Sequence, residues 1–558
     1  MHALSPVVIK KMARRHFDRN PLLPPPIIVV LLAALFVEFY LFARSQDIWL
    51  DESTQLSGIT LKFWEMLQWL GGAGPDHLGV PADRMPPVSY VLDWLWLHLY
   101  GHSEIGFRLF HSAFVIAGIS CLAIVAWREL GRTATVVSLG FLVLSPKLIQ
   151  TGVEIRAYPI FFAITCAQTA VFIRLVASQT KPDSKLLTAF AAICLVAIYT
   201  HFYGIVSSCA FFLALGISYF RFPAALAKIA AAFAIVAIGS LALIPFVSAA
   251  AKVPLFVPAT ATGIVIRGNP IAQYLTYLLK LAGDPANMVS TAASILFFGG
   301  TAALLVATIF AALIRARNGS QKPLDWLIAV VLFGVFATIA ASLFVGTFDV
   351  LKASYSVWLL VPISVLVGIG ATSATGFRSW DVAGRTVATV ALLVGAAIST
   401  YLFFDHASLF VHGPNRFIGA LYDKAAAPKA IIYEAGAAWG WSYIPLQYSH
   451  HGQVVQYRVS DDGGGLVRSA PRGTEATVRD MEATVAPYKV LLLTDIRLRT
   501  FRDLRQCVNR LSACPHFPTG TLEAALIGTG KWREADKERA FGLWDSQVTI
   551  LERSEHSP

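Results

Sequence analysis

Residues 27–53 read IIVVLLAALFVEFYLFARSQDIWLDES. An apolar run from Ile27 to Ala43 gives way to a polar turn and then to an acidic pair, Asp51-Glu52. At about 1.5 Å per residue the run makes a helix of roughly 25 Å, enough to cross a slightly thin bilayer. Carboxylates at a bilayer edge are costly unless water, a partner or a reaction uses them. The whole chain supports a membrane reading. Of its 558 residues, 56% are hydrophobic and 14% charged, against roughly 25% charged in soluble domains, and mean hydropathy is +0.61. A cleaved signal peptide is the competing reading of the first run. A long basic tail containing Pro24-Pro25-Pro26 precedes it, however, and no clear small-x-small cleavage site follows.

Apolar runs recur at 107–127, 133–150, 157–178, 186–199, 204–220, 229–248, 291–314, 325–346, 353–373 and 386–404. The net charge of +11 does not point to nucleic acid, because the basic residues fall in short loops between these runs. Lys10, Lys11, Arg14, Arg15 and Arg19 mark the tail. Arg128/Arg132, Arg174/Lys181/Lys185, Arg221/Lys228, Arg315/Arg317/Lys322 and Arg378/Arg385 mark every second connection. That alternation is what the positive-inside rule requires. It places the N-terminus in the cytoplasm and makes 186–220 two helices. It also keeps the run 86–100, with Asp93 and His98, from crossing. The fold expected is a polytopic α-helical membrane protein of about 11–13 transmembrane helices. A basic tail (1–26) precedes a transmembrane domain (27–404) with large outer loops at 44–106 and 249–290. Apolar positions Leu56, Ile59, Phe63, Leu67 and Leu70 predict an amphipathic interfacial helix over 54–70, with another over 269–283.

Residues 405–558 differ in character and predict a small extracytoplasmic α/β domain. Lys429–Tyr433, Tyr488–Thr494 and Gln547–Leu551 read as buried strands, and Gly463-Gly464-Gly465 as a loop. Cys121, Cys166, Cys194 and Cys209 lie in apolar runs as packing residues. Cys507 and Cys514 can pair if this domain lies outside the cytoplasm. The chain contains no internal repeat, P-loop, zinc spacing or Ser-His-Asp signature.

Behind the acidic pair come Arg84-Met85-Pro86-Pro87-Val88-Ser89-Tyr90, Tyr100-Gly101-His102-Ser103-Glu104 and Phe107-Arg108-Leu109. Ser145-Pro146, Glu154-Ile155-Arg156-Ala157-Tyr158 and Tyr199-Thr200-His201-Phe202-Tyr203-Gly204 follow. This ordered series, over roughly 25–375, resembles the GT-C membrane glycosyltransferases. The branch it is most similar to is the protein-O-mannosyltransferase/aminoarabinose-transferase-like group, which includes rhizobial lipopolysaccharide galacturonosyltransferases. The resemblance implies transfer of a sugar from a polyprenyl phosphate carrier to an envelope acceptor, in the bacterial inner membrane and on its extracytoplasmic side. The family's first-loop carboxylate matches Asp51, and its second acidic position matches Glu154. Two departures stand out. Met85 occupies the place before Pro-Pro where some relatives carry Lys, and Lys352-Ala353-Ser354-Tyr355 stands where many carry Arg-Tyr ahead of a late Pro.

A polyprenyl phosphate-sugar carries an activated anomeric carbon. The enzyme must take a proton from the attacking hydroxyl, a task for one carboxylate, and stabilise the departing phosphate, a task for Arg or Lys. Asp51 is the candidate base, with Glu52 and Glu154 as supporting acids. Arg84, Arg108, Arg156, Arg267, Lys352 and Tyr355 are candidates for the phosphate, and Tyr158, His201 and Tyr203 for the substrate. Each has a plainer alternative: a helix cap for the acids, an ion pair for Glu154 and Arg156, snorkelling for Arg108, a satisfied hydrogen bonder for His201, an interfacial anchor for Lys352 and Tyr355. No cofactor is expected. A divalent cation between Asp51 and Glu154 is conceivable but not expected, since a monophosphate carries little charge to neutralise. A transporter or flippase of a lipid-linked solute is the rival class. Transporters usually show repeats and mid-membrane charges, whereas here the charges gather at one face.

Overall fold

The computed structural model describes residues 25–554 apart from 74–76, 79–82, 84, 178–181, 253–273, 276, 279–280, 282–289, 319–322, 346–353, 374–381, 408–409, 412, 435–453, 460–465, 469–476, 479–480, 499–519 and 543. All eleven apolar runs of the sequence become helices. Those with the length and hydropathy of full spans are α1 (Pro26–Ser45), α5 (Glu104–Glu129), α8 (Ala157–Ala177), α11–α12 (Pro223–Ser240 and Ile244–Lys252), α13 (Thr291–Arg317), α14 (Leu327–Val345) and α16 (Ala383–Asp405). An eighth span is bent: α6 (Arg132–Val143) meets α7 (Pro146–Gly152) at 63°. The bend has a local cause. Pro146 cannot continue a helix but can begin one, and Ser145 caps the new start by accepting from Leu148 N–H. Shorter apolar helices α9 (Ser184–Thr200), α10 (Tyr203–Ser218) and α15 (Leu360–Thr372) complete the bundle of a multi-pass membrane protein.

The first loop is helical and largely inside the protein. α2 (Leu50–Gly58) and α3 (Phe63–Leu70) replace the single helix expected over 54–70. The break follows burial. Most of α2 from Glu52 to Gly58 is packed away from the surface, whereas α3 exposes Trp64 and buries Met66, Trp69 and Leu70. Gly58 lets the two pack: a Cβ there would sit 2.6 Å from the Tyr90 ring and 2.7 Å from Trp69. α4 (Pro87–Tyr100) has 14 residues. That is about 21 Å, short of a full span.

After α16, helix α17 (Asn415–Lys424) leads into a seven-stranded sheet in the order β4-β3-β2-β1-β5-β7-β6. β1 (Lys429–Tyr433) runs parallel to β2 (Gln456–Val459) and β5 (Val490–Leu498), with Ile431 opposite Leu492. β3 (Leu466–Arg468), β4 (Thr477–Val478), β6 (Trp532–Ala540) and β7 (Trp544–Arg553) join antiparallel. α17 packs Ile418, Leu421 and Tyr422 on one face against Ile431, Tyr433 and Leu492. α18 (Met481–Val485) and α19 (Thr521–Gly528) cover the other through Val485, Leu522 and Leu526 against Ile432, Leu491 and Leu493. The three strands expected from sequence are β1, β5 and β7. The other four are short or, in β6, almost wholly charged. Gly463–Gly465 and the 269–283 helix fall wholly or mostly outside the described residues, and so do Cys507 and Cys514. The four cysteines of the bundle are free thiols.

Candidate active site

The site is built where α2, α4, α5 and the short connection between α7 and α8 meet. Asp51 and Glu52 both lie in the first turn of α2, where negative charge suits the helix dipole. Successive helical residues point about 100° apart, so the pair divides. Glu52 turns inward and is fully buried; Asp51 stays half-buried.

Glu52 is saturated. It receives a bidentate bond from Arg108, Nη1 to Oε1 at 2.8 Å and Nη2 to Oε2 at 2.9 Å, and Ile155 N–H donates to Oε1 at 2.8 Å. Arg108, only 1% exposed, also donates from Nε to Glu104 Oε1 at 2.9 Å and from Nη1 to the Val153 carbonyl at 3.0 Å. A guanidinium committed in this way holds α2, α5 and the 153–155 turn together. It is not presented to a phosphate, which corrects the role expected of Arg108 and leaves Glu52 a structural partner. A buried charge with two carboxylates and a carbonyl around it meets the condition for surviving burial.

Asp51 is the opposite case. Among the described residues no hydrogen bond or ion pair engages its carboxylate; its backbone carbonyl instead accepts from Arg156 Nη1 at 2.9 Å. Arg156 is held in turn by Asp83, Nη1 to Oδ2 at 2.6 Å, and Tyr90 donates its hydroxyl to the same Oδ2 at 2.7 Å. Among the described residues, Arg156 Nε is buried without a partner, and so is Oε2 of Glu154, two residues earlier. Burial pushes its carboxyl up to about 8; Lys147 pulls the other way, the Glu52 and Asp51 charges add to the rise, and Arg156 opposes it. The ion pair considered for Glu154 and Arg156 does not form: Arg156 pairs with Asp83. Lys147, on α7, donates to Ser354 Oγ at 3.1 Å.

Aromatic rings close one side. Tyr158, His201, Tyr203 and Tyr355 lie with centroids 5.5–5.9 Å apart, and Phe161 stacks on His201 at 5.3 Å. Burial, with the Arg156 charge adding to it, pushes the His201 pKa down to about 3. Its Nδ1 accepts from Tyr203 N–H at 3.1 Å, so the ring proton sits on Nε2, which is buried without a partner. Gly204 permits this turn: a Cβ would lie 2.2 Å from the Ala197 carbonyl oxygen.

The structure thus brings together Asp51, Glu52, Glu154, Arg108 and Arg156 at one point, and Tyr158, His201, Tyr203 and Tyr355 at another beside it. Arg84, Arg267 and Lys352 lie outside the described residues. Sequence reasoning missed Asp83, whose only signal was its place just before the Arg-Met-Pro-Pro run. It missed Lys147, which directly follows Ser-Pro. It also missed a fully buried pair behind α2, where His111 Nε2 donates to Asp93 Oδ1 at 2.7 Å and Gln55 Nε2 to Oδ2 at 2.5 Å. Among the described residues no group of three or more His, Cys, Asp or Glu is placed to hold a metal ion.

Eleven apolar helices, a helical first loop bearing the acids and a following α/β module together make the GT-C membrane fold. The chain is similar to the crystal structure of ArnT from Cupriavidus metallidurans in the apo state, with a TM-score of 0.53 and 12% identity over 94% of this chain and 97% of that one. It is equally similar to ArnT from the same organism bound to undecaprenyl phosphate, with a TM-score of 0.51 and 12% identity over 95% and 98%. At this identity the likeness is one of fold. No protein-family model matches the chain, and no curated protein sequence matches it.

Proposed function

We propose that this protein is a membrane glycosyltransferase that moves a sugar from a polyprenyl-monophosphate carrier to a cell-envelope glycolipid, polysaccharide or protein, on the extracytoplasmic side of a bacterial inner membrane. The observation that carries the proposal is a carboxylate beside a fixed arginine: among the described residues Asp51 has no hydrogen-bond or ion-pair partner for its side chain, while Arg156 grips its backbone. The fold shared with an undecaprenyl phosphate-bound ArnT supports the donor class.

The acceptor hydroxyl oxygen attacks the anomeric carbon from the face opposite the phosphate. Its proton passes to Asp51 as the new C–O bond forms. The bond from the anomeric carbon to phosphate oxygen breaks, and the polyprenyl phosphate leaves with that electron pair, so the anomeric configuration inverts. A base placed for this work contributes typically 10²–10⁴-fold. Arg156 Nε, Lys147 and the Tyr355 hydroxyl take the phosphate charge, together with Arg84, Arg267 and Lys352, the cations named from the sequence. A neutral Glu154 and the His201 Nε2–H bind sugar hydroxyls beside Tyr158 and Tyr203. Cationic side chains supply the neutralisation, and no divalent cation enters the scheme; transfer abolished by EDTA and restored by Mg²⁺ would revise that.

The deciding experiment is transfer from a labelled polyprenyl-phosphate sugar by purified wild type and Asp51→Asn in proteoliposomes. Transfer by wild type, reduced at least about 100-fold in the folded variant, is expected. Equal transfer by both removes Asp51 as the base. Solute uptake without a transfer product removes the enzyme reading altogether.

A further inference from the structure

The C-terminal module reaches into the bundle through the first turn of α17. Arg416 donates its backbone N–H to Asp47 Oδ2 at 2.7 Å. Its guanidinium pairs with Glu104 Oε2 at 3.0 Å and also donates to the Arg44 carbonyl. Beside it, Asn415 Nδ2 donates to the Ile48 carbonyl at 2.9 Å. Glu104 is the same carboxylate that receives Arg108 Nε through its other oxygen, and Arg108 is the partner of Glu52. A chain of contacts therefore runs from Asp47 to the main chain of Arg416, and from the Arg416 guanidinium through Glu104 and Arg108 to Glu52. The first is in the connector before α2 and the last in the first turn of α2, next to Asp51. These three carboxylates are buried.

We propose that Arg416 is a positioning residue for the candidate active site: from the C-terminal module it fixes, through Glu104 and Arg108, the helix that carries Asp51. The electrostatics give the reason. Two arginines serve three carboxylates in a space with little water. Without the Arg416 guanidinium, Arg108 must answer Glu104 and Glu52 alone, while Asp47 keeps its backbone N–H bonds from Ile48 and position 416. A buried charge that loses its partner drives rearrangement of whatever holds it, and what holds these charges is the 44–52 segment. The module is thereby part of the site's framework.

The inference rests on the reading of Asp51 as the base only where activity is measured, so the primary readout is independent of it. Hydrogen exchange of the full chain in detergent is followed for amides 50–58 and, as internal reference, for β1 and β5. Arg416→Met is expected to raise exchange across 50–58 by at least about tenfold with β1 and β5 unchanged, and Arg416→Lys to restore most of the protection. Gln46→Ala removes a hydrogen bond of the same junction, to the Phe410 carbonyl, outside the charge chain, and is expected to leave 50–58 as in wild type. Because Arg416→Met can undock the module as a whole, Glu104→Gln cuts the same chain from the bundle side. Wild-type exchange at 50–58 in either folded variant, or equal loss in Gln46→Ala, overturns the proposal. In transfer assays Arg416→Met should lower kcat with KM for the donor nearly unchanged. If Asp51→Asn proves active while exchange at 50–58 responds as described, the base assignment falls and the positioning role stands.

Discussion

Arg156 donates through a single nitrogen, Nη1, to the backbone carbonyl of Asp51 at 2.9 Å and to Asp83 Oδ2 at 2.6 Å. Asp51 is thus located by its main chain, and among the described residues no hydrogen bond or ion pair engages its side chain. Asp83 makes the arrangement possible by neutralising the arginine that Asp51 would otherwise pair with.

Arg156→Lys tests that division. A lysine keeps the charge but cannot reach Asp51's carbonyl and Asp83 together with a planar fork. Freed from its anchor, the Asp51 backbone shifts, and a displacement of about 1 Å near the chemistry costs on the order of 100-fold. Single-turnover transfer should fall by about that factor with the protein still folded; an undiminished rate would show that the Asp51 carbonyl needs no anchor.

Arg108→Met should be among the most destabilising substitutions in the bundle. It strands Glu52 and half of Glu104 in the interior, and breaking a buried pair typically costs about 3–5 kcal/mol. Thermal unfolding in detergent should show a clearly lowered midpoint. A variant as stable as wild type would restore Arg108 as a residue available to substrate.

Glu154 predicts an alkaline limit. Its ordinary value is near 4.5 and its folded value about 8, so it is neutral at pH 7 and ionises as pH rises past 8. Stability from the neutral form is complete below about pH 4.5 and is lost as pH rises through 8, because the folded state holds a proton that the unfolded chain has released. The new negative charge also repels an anionic donor. KM for the donor should therefore rise above pH 8 in wild type, and Glu154→Gln should flatten that limb. An unchanged limb in the variant would assign the effect to another group.

Gly204→Ala should disturb the site without altering its chemistry. The added methyl would lie 2.2 Å from a backbone oxygen, so the α9–α10 turn must move, and His201 with it. Overpacking of this kind costs about 1–3 kcal/mol. The variant should lose transfer and stability together; wild-type behaviour would mean that the turn yields easily.

The membrane fold was legible in the sequence because hydropathy and loop charge are long-range averages. Eleven runs survive errors at individual residues, and Asp93 and His98 set the run that becomes the short α4 apart from them. Asp51, Glu52, Glu154 and Arg156 were found because they stand in short motifs at helix ends. What stayed hidden was pairing. Arg108 and Arg156 look alike in sequence, yet one is enclosed by Glu52 and Glu104 and the other keeps a donor to spare. Asp83 and Arg416 gain meaning only from contacts 73 residues away with Arg156 and 369 away with Asp47, separations over which no local pattern carries information. The strands β2, β3 and β4 were too short to stand out from loop, and β6, six of whose nine residues are charged, lacks the apolar alternation that marks a strand.

β6 has a consequence for life in a crowded membrane. Its residues from Arg533 to Glu538 are all exposed, and it closes one end of the sheet; the other end is β4, two residues long. Proteins confined to a plane diffuse with a fixed orientation, so the same edges meet again and again. An apolar, unguarded strand there would invite modules of neighbouring copies to zip into a continuous sheet. Six consecutive exposed residues, five of them charged, and a strand too short to template a partner work against that.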